Sequence, residues 1–464
     1  MGKQKSLGLV ACMALVVGNM VGSGIFLLPA TLAPYGSLAL LGWSLTALGS
    51  ICLALVFGRL ARKIPKVGGP YAYTYAGFGD FAAFWIAWGY WIAIWAGNTA
   101  VAVALVGYLT VFFPILGEEV RLGGLAAIAT VWLLTLVNLK GVKQAGLLQI
   151  FTTVLKLAPL VLIATLGFFW VEFENFPSFN PSGLPTYSAL SVVAALTLWS
   201  FIGLESATVP AGEVEDPTRT IPQATVLGTI FVALLYIAAM TVLLGTVPAD
   251  RLAGSSAPFA DAARLLFGNW AYYAVAVGAV VSSFGTMNGF TLLQGQVPMA
   301  AAKDRLFPAR FARQSRQGVP VFGTVISSVL MTVLLLFNYS GSKGLVEIFE
   351  FIILLATLTT LVPYIFCALV DLLLFSKQGG AFSDQQHRTR FIKSSIISIA
   401  AFVYSLWAIY GSGAETVFYG FLLLLLGIPV YVWMQREQRS DQPNPPATNP
   451  TQQKGLGLLN DKAT

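Results

Sequence analysis

Apolar residues run along this chain in long blocks, separated by short stretches where proline, glycine and charged side chains gather. A helix needs about 20 mostly apolar residues to cross the hydrocarbon of a bilayer. The pattern predicts twelve such helices, at roughly 8–34, 38–60, 82–113, 124–141, 147–171, 188–211, 224–246, 270–298, 319–338, 346–374, 393–411 and 415–434. The expected class is an all-α membrane protein, with a transmembrane domain over 1–435 and a disordered cytoplasmic tail over 436–464.

Two of the twelve segments break the pattern. The first contains "VVGNMVGSGIFLLPA", Val16 to Ala30, with three glycines, an asparagine, a serine and a proline inside an apolar run. Each helical glycine costs about 1 kcal/mol relative to alanine, and hydrocarbon penalises every backbone group left unbonded. The sixth reads "LTLWSFIGLESATVPAGEVEDPTRTIPQAT", with Gly203, Glu205 and Ser206 in mid-span. Interrupted segments in corresponding places, five spans apart, are the mark of transporters built from inverted repeats, and they point to the binding site. A broken helix offers unpaired N–H groups and positive dipole at one new end, and free carbonyls at the other. An amino acid zwitterion satisfies both, its carboxylate at the N-terminus and its ammonium at the carbonyls.

Composition narrows the function classes. Of the 464 residues, 56% are apolar and only 10% charged, against about 25% charged in soluble domains. Twenty-two of the 27 Lys and Arg residues fall in segments on one side of the predicted topology, including both termini. The positive-inside rule therefore puts both termini in the cytoplasm of a multi-pass inner-membrane protein. The net charge of +7 reflects that bias and gives no reason to expect nucleic acid as a partner. One histidine, His387, in an expected polar loop, leaves no material for histidine-dependent catalysis or metal binding. Cys12, Cys52 and Cys367 lack CxxC spacing, and no P-loop is present. An enzyme, a cofactor and a metal are not expected. A channel would need a continuous polar stripe or charge ring, and none is visible.

The stretches "GNMVGSGIFLLPA", "KVGGPYAY", "LWSFIGLESATVPAGEVEDPTRTIPQAT" and "AAAKDRLFP" together resemble the amino acid–polyamine–organocation (APC) superfamily. The likeness runs from about residue 7 to 435 and looks nearest to the bacterial basic amino acid and polyamine exchangers, the arginine/agmatine type among them. It implies a leucine-transporter-type core of two inverted five-helix repeats, about 8–171 and 188–374, with two extra helices over 393–434. It also implies a secondary transporter of amino acids working by alternating access. The narrower alternative is an exchanger of a cationic amino acid, arginine or ornithine, for its decarboxylated amine, agmatine or putrescine. The partners are then a small amino acid or amine and the lipid bilayer, and a homodimer is left open.

Carried across position by position, the resemblance puts Asn19, Ser23 and Gly24 where the substrate carboxylate is held. Trp199 and Ile202 fall where the sixth helix unwinds, with carbonyls for the ammonium and an indole face for the side chain. Asn98 matches a side-chain contact, Tyr90 with Trp91 an aromatic gate, and Glu205 the acid of gating and proton-linked change. Phe290 stands in place of a tryptophan that walls the arginine exchanger's site. Lys156 stands in place of a small apolar residue, as in proton-coupled permeases, beside spans one and eight where sodium-coupled relatives hold their ion. A tethered cation there makes transport sodium-independent and leans the substrate towards zwitterions. On the residues alone, Gly22, Ser23 and Gly24 also fit a close-packing small-residue face, and Glu205 a structural acid.

Overall fold

The structure, a computed structural model, describes residues 7–66, 68–140, 156–209, 211–341, 343–376 and 385–440. It is helical throughout; among the described residues the one extended pairing is a parallel bridge between Leu7 and Val214. Helices are the form in which an apolar run can bond all its own backbone groups in hydrocarbon. In chain order, apart from one-turn pieces, they begin with α1 (Leu9–Met20), α2 (Ser23–Leu32), α3 (Leu38–Lys63) and α4 (Pro70–Phe78). α5 (Asp80–Leu109), α6 (Val120–Leu139), α7 (Lys156–Trp170) and α8 (Thr186–Leu198) follow. Next come α9 (Pro217–Thr246), α10 (Pro258–Phe267), α11 (Asn269–Lys303) and α12 (Val321–Tyr339). The chain closes with α13 (Leu345–Ser376), α14 (Gln385–Gly411), α15 (Ala414–Leu425) and α16 (Gly427–Ser440).

Among the described residues ten segments are long and apolar enough to cross a membrane, where the hydropathy pattern predicts twelve. The other two are the shorter apolar helices Lys156–Trp170 and Thr186–Phe201. Residues 147–155, the expected start of the fifth segment, lie outside the described residues. The sixth is short because it leaves helical geometry in mid-span. Two boundaries differ from expectation. α14 starts at Gln385, so His387 belongs to a helix and not to a loop. α16 continues to Ser440, so residues 436–440 are helical rather than part of the tail; the remaining tail, 441–464, lies outside the described residues.

α5 is the central post: 94% of its apolar window is buried within the protein, against 28% and 22% for the segments Phe391–Gly411 and Ala414–Arg436. It is flanked by α11 and α13, while α9 lies along α3 and beside α1. The lysine- and arginine-rich ends are tied by a buried carboxylate. Asp371 on α13 pairs with Arg59 on α3 at 2.7 Å and accepts a hydrogen bond from Ser398 on α14 at 2.8 Å.

Small residues set how closely the helices approach. A Cβ at Gly49 on α3 would lie 2.4 Å from the Tyr404 ring on α14, and one at Gly411 would lie 1.8 Å from the Ser191 carbonyl oxygen on α8. Backbone cannot yield as a side chain can. Gly411→Ala should therefore lower the thermal unfolding midpoint of the detergent-solubilised protein, at a cost of about 3 kcal/mol, high in the overpacking range. Gly344→Ala, which meets nothing within 4 Å, should leave the midpoint unchanged. Equal midpoints for both variants would show that α8 and α14 do not meet there.

Candidate functional site

The first break spans two residues. α1 ends at Met20, Val21 (ψ 86°) and Gly22 (φ −126°, ψ −152°) leave helical geometry, and α2 begins at Ser23. Gly22 faces Thr286 on α11 so closely that a Cβ would stand 3.0 Å from its methyl. The carbonyls that the break releases from α1 find new donors. The last regular helical bond, from the Val21 N–H to Val17 O at 2.8 Å, is intact, and beyond it Gly22 donates to Met20 O at 2.9 Å. Tyr236 on α9 donates its hydroxyl to Met20 O at 2.7 Å. Lys156, 0% exposed on α7, donates from Nζ to the carbonyl of Gly18. Lys156 is thus bonded directly to α1. The first-turn N–H groups of α2 carry the complementary unpaired donors of a helix N-terminus.

The second break is longer. α8 passes into a single tight turn, Trp199–Phe201, after which Ile202 is extended (φ −64°, ψ 132°). Gly203 has φ +105°, a region open to glycine and strained for other residues. It also meets the end of α1: a Cβ there would lie 3.0 Å from Asn19 Cβ. The two breaks thus touch. Glu205, 1% exposed, lies at their junction and is held by three donors. Tyr90 on α5 donates to Oε1 at 2.9 Å, Tyr364 on α13 to Oε2 at 2.6 Å, and the Gly203 N–H to Oε2 at 3.2 Å. Beside it lies a cavity of about 20 Å³ whose lining includes Asn19, Tyr90, Ile202, Glu205, Phe290 and Thr360. That is room for about one water.

The remaining residues named from the sequence are not all at this cavity. Trp199 is buried between two glycines: Cβ atoms at Gly24 on α2 and Gly97 on α5 would each come 2.7 Å from its indole. The place that a side chain at position 24 would fill thus holds the indole of Trp199. Trp199 Nε1 and Ser200 Oγ, both buried, have no hydrogen-bond partner among the described residues. Asn98 does not line the cavity. Its amide donates to Thr291 at 3.1 Å and Gln294 at 3.3 Å on α11, within a polar seam that continues from Gln294 to Ser328 on α12. Trp91 also points elsewhere, donating to Ser327 at 2.9 Å. Among the described residues no three His, Cys, Asp or Glu side chains converge as a metal site would require.

Tyr364 and Tyr236 are missing from the sequence reading although both bond directly to the breaks. One signal was present: a phenol in the middle of an apolar segment needs a partner once buried.

Comparison with known proteins adds the family. The model of the amino acid permease family matches residues 7–433. The chain is 36% identical to the cadaverine/lysine antiporter of Escherichia coli (strain K12), over 95% of this chain and 97% of that protein. It is 33% identical to a putative arginine/ornithine antiporter of Bacillus subtilis (strain 168), over 95% of this chain and all of that protein. It is 32% identical to the arginine/ornithine antiporter of Pseudomonas aeruginosa, over 93% of this chain and 92% of that protein. The motifs, the helical membrane architecture and these matches agree: the chain belongs to the amino acid permease family, within the amino acid–polyamine–organocation superfamily.

Proposed function

We propose that this protein is an amino acid exchanger of the inner membrane, working by alternating access, with the substrate head bound between the two helix breaks. The observation that carries the reading is the meeting of the breaks, Gly203 against Asn19, beside the clamped Glu205. In this reading the chain crosses the membrane twelve times, counting α7 and α8. The crossings form two inverted five-helix repeats, 8–171 and 188–374, plus the last pair over 393–434, with both termini cytoplasmic. The Ser23 and Gly24 N–H groups hold the carboxylate. The extended backbone at Ile202 holds the ammonium, and Trp199 and Phe290 shape the side-chain end.

The relatives' names bring dibasic amino acids and a diamine forward as substrates. The cation of Lys156 is spent on Gly18 O and does not line the cavity, so it gives little ground for rejecting a second positive charge. Lys156 instead bears on the driving force. Its ammonium holds an α1 carbonyl that a bound cation could otherwise take, which supports sodium-independent exchange. The small cavity fits a closed conformation: a substrate enters only when the Glu205 clamp opens. Each hydrogen bond to a charged group contributes about 1.5–3 kcal/mol, so the clamp is strong enough to set the balance between open and closed forms.

Counterflow in proteoliposomes tests the whole reading. Vesicles loaded with lysine, arginine, ornithine or cadaverine should take up labelled lysine in sodium-free buffer, and empty vesicles should not. Strict sodium dependence would contradict the role given to Lys156, whereas Lys156→Ala should lose exchange or acquire dependence on an added cation. Glu205→Ala should slow exchange about tenfold or more while the calorimetric Kd changes little, because one charge-assisted bond of the clamp is already worth that factor. Unchanged exchange in that variant would make Glu205 a structural acid. Trp199→Leu should weaken binding by about 1–2 kcal/mol, the range of a desolvated ring contact with a cation. A native Kd would remove Trp199 from the site.

A further inference from the structure

A second, larger cavity lies away from the breaks. It measures about 340 Å³ and is walled by Ile64 and Lys66 after α3, Tyr71 and Tyr75 on α4, and Asp304 and Leu306 after α11. Its position relates it to the first cavity. Leu293 of α11 lines the central site and Asp304 follows the last residue of the same helix, eleven residues on, or roughly 16 Å at 1.5 Å per residue. The two cavities thus sit about three helical turns apart along α11, the outer one on the lysine-rich face.

Its chemistry is bipolar. Lys66 supplies a cation and Asp304 an anion, and among the described residues neither makes an ion pair. Asp304 is not free to turn away, because Tyr71, itself buried, donates its hydroxyl to Oδ2 at 3.2 Å. That leaves the carboxylate oriented with acceptor capacity to spare. Tyr75 is half exposed and presents a ring at the same mouth, and Leu306 is buried at its floor. Opposite charges sharing one cavity without neutralising each other suit a ligand that carries both charges itself.

We propose that this cavity is a second amino acid site, a capture site on the lysine-rich face, with Asp304 binding the α-ammonium and Lys66 the α-carboxylate. It rests on the exchanger reading for its role but not for its existence. Substrate arriving from this face binds here first and then moves along α11 to the breaks; substrate arriving from the other face meets the breaks directly.

The test is sided. In oriented vesicles, Asp304→Asn should raise KM for lysine from the cavity's face about tenfold, the worth of one charge-assisted bond, with kcat and the opposite-face KM unchanged. Lys66→Gln should do the same for lysine but not for cadaverine, which has no carboxylate. Asp304 is exposed, so the variant keeps the fold, and an unchanged melting midpoint checks this. Equal KM changes on both faces, or none on either, would overturn the capture site while leaving exchange intact. Equilibrium dialysis with labelled lysine decides without transport. The expected isotherm shows two lysines per native protein, with one of the two bound about tenfold more weakly in Asp304→Asn and the other unchanged; one site or none in the native protein, or two unshifted sites in the variant, overturns the proposal.

Discussion

Backbone that leaves helical geometry in the middle of a membrane must be paid for by named partners, and that constraint organises this protein. At the first break the partners are visible one by one: Lys156 on Gly18 O, Tyr236 on Met20 O, and the local Gly22 N–H also on Met20 O. These donors come from α7 and α9, helices that lie far away in sequence. Holding the break open therefore fixes where those helices stand. The second break is held differently, through the carboxylate of Glu205 and hydroxyls from α5 and α13. The same helices that form the core thus form the site, and moving one disturbs the other.

The packing around Trp199 shows how little slack remains. Its indole occupies the space over Gly24 and Gly97, so a glycine in the N-terminal turn of α2 serves the fold as well as any ligand. An indole N–H and a serine hydroxyl, both buried and without partners among the described residues, leave polar capacity close to that turn. Burying unpaired polar groups is unfavourable.

Much of this was legible in the chain. The apolar blocks located the ten segments that, among the described residues, are long and apolar enough to cross a membrane, and the glycines, proline and acid inside segments one and six marked both breaks, because such residues are costly in lipid unless needed. Lys156 was legible for the same reason. What pattern could not supply was direction. Asn98 and Trp91 sit on α5 near Tyr90, yet their side chains bond to α11 and α12, and a helical residue's partner depends on which neighbour packs there. Tyr364 and Tyr236 looked like any aromatic in an apolar run until the chain brought them to the breaks. The helix over α4 and the extension of α14 to Gln385 lie outside the apolar blocks, where hydropathy says nothing.

The central claim is that both breaks serve one bound amino acid, and a distance measures it. With lysine labelled at the carboxyl carbon and the protein labelled at the backbone nitrogens of Ser23 and Gly24, dipolar recoupling in membranes reports their separation. A shared site at the breaks requires about 3–4 Å, the span of a hydrogen bond from amide nitrogen through oxygen to carboxyl carbon. Saturating lysine that shows no such coupling, while still being exchanged, would contradict it.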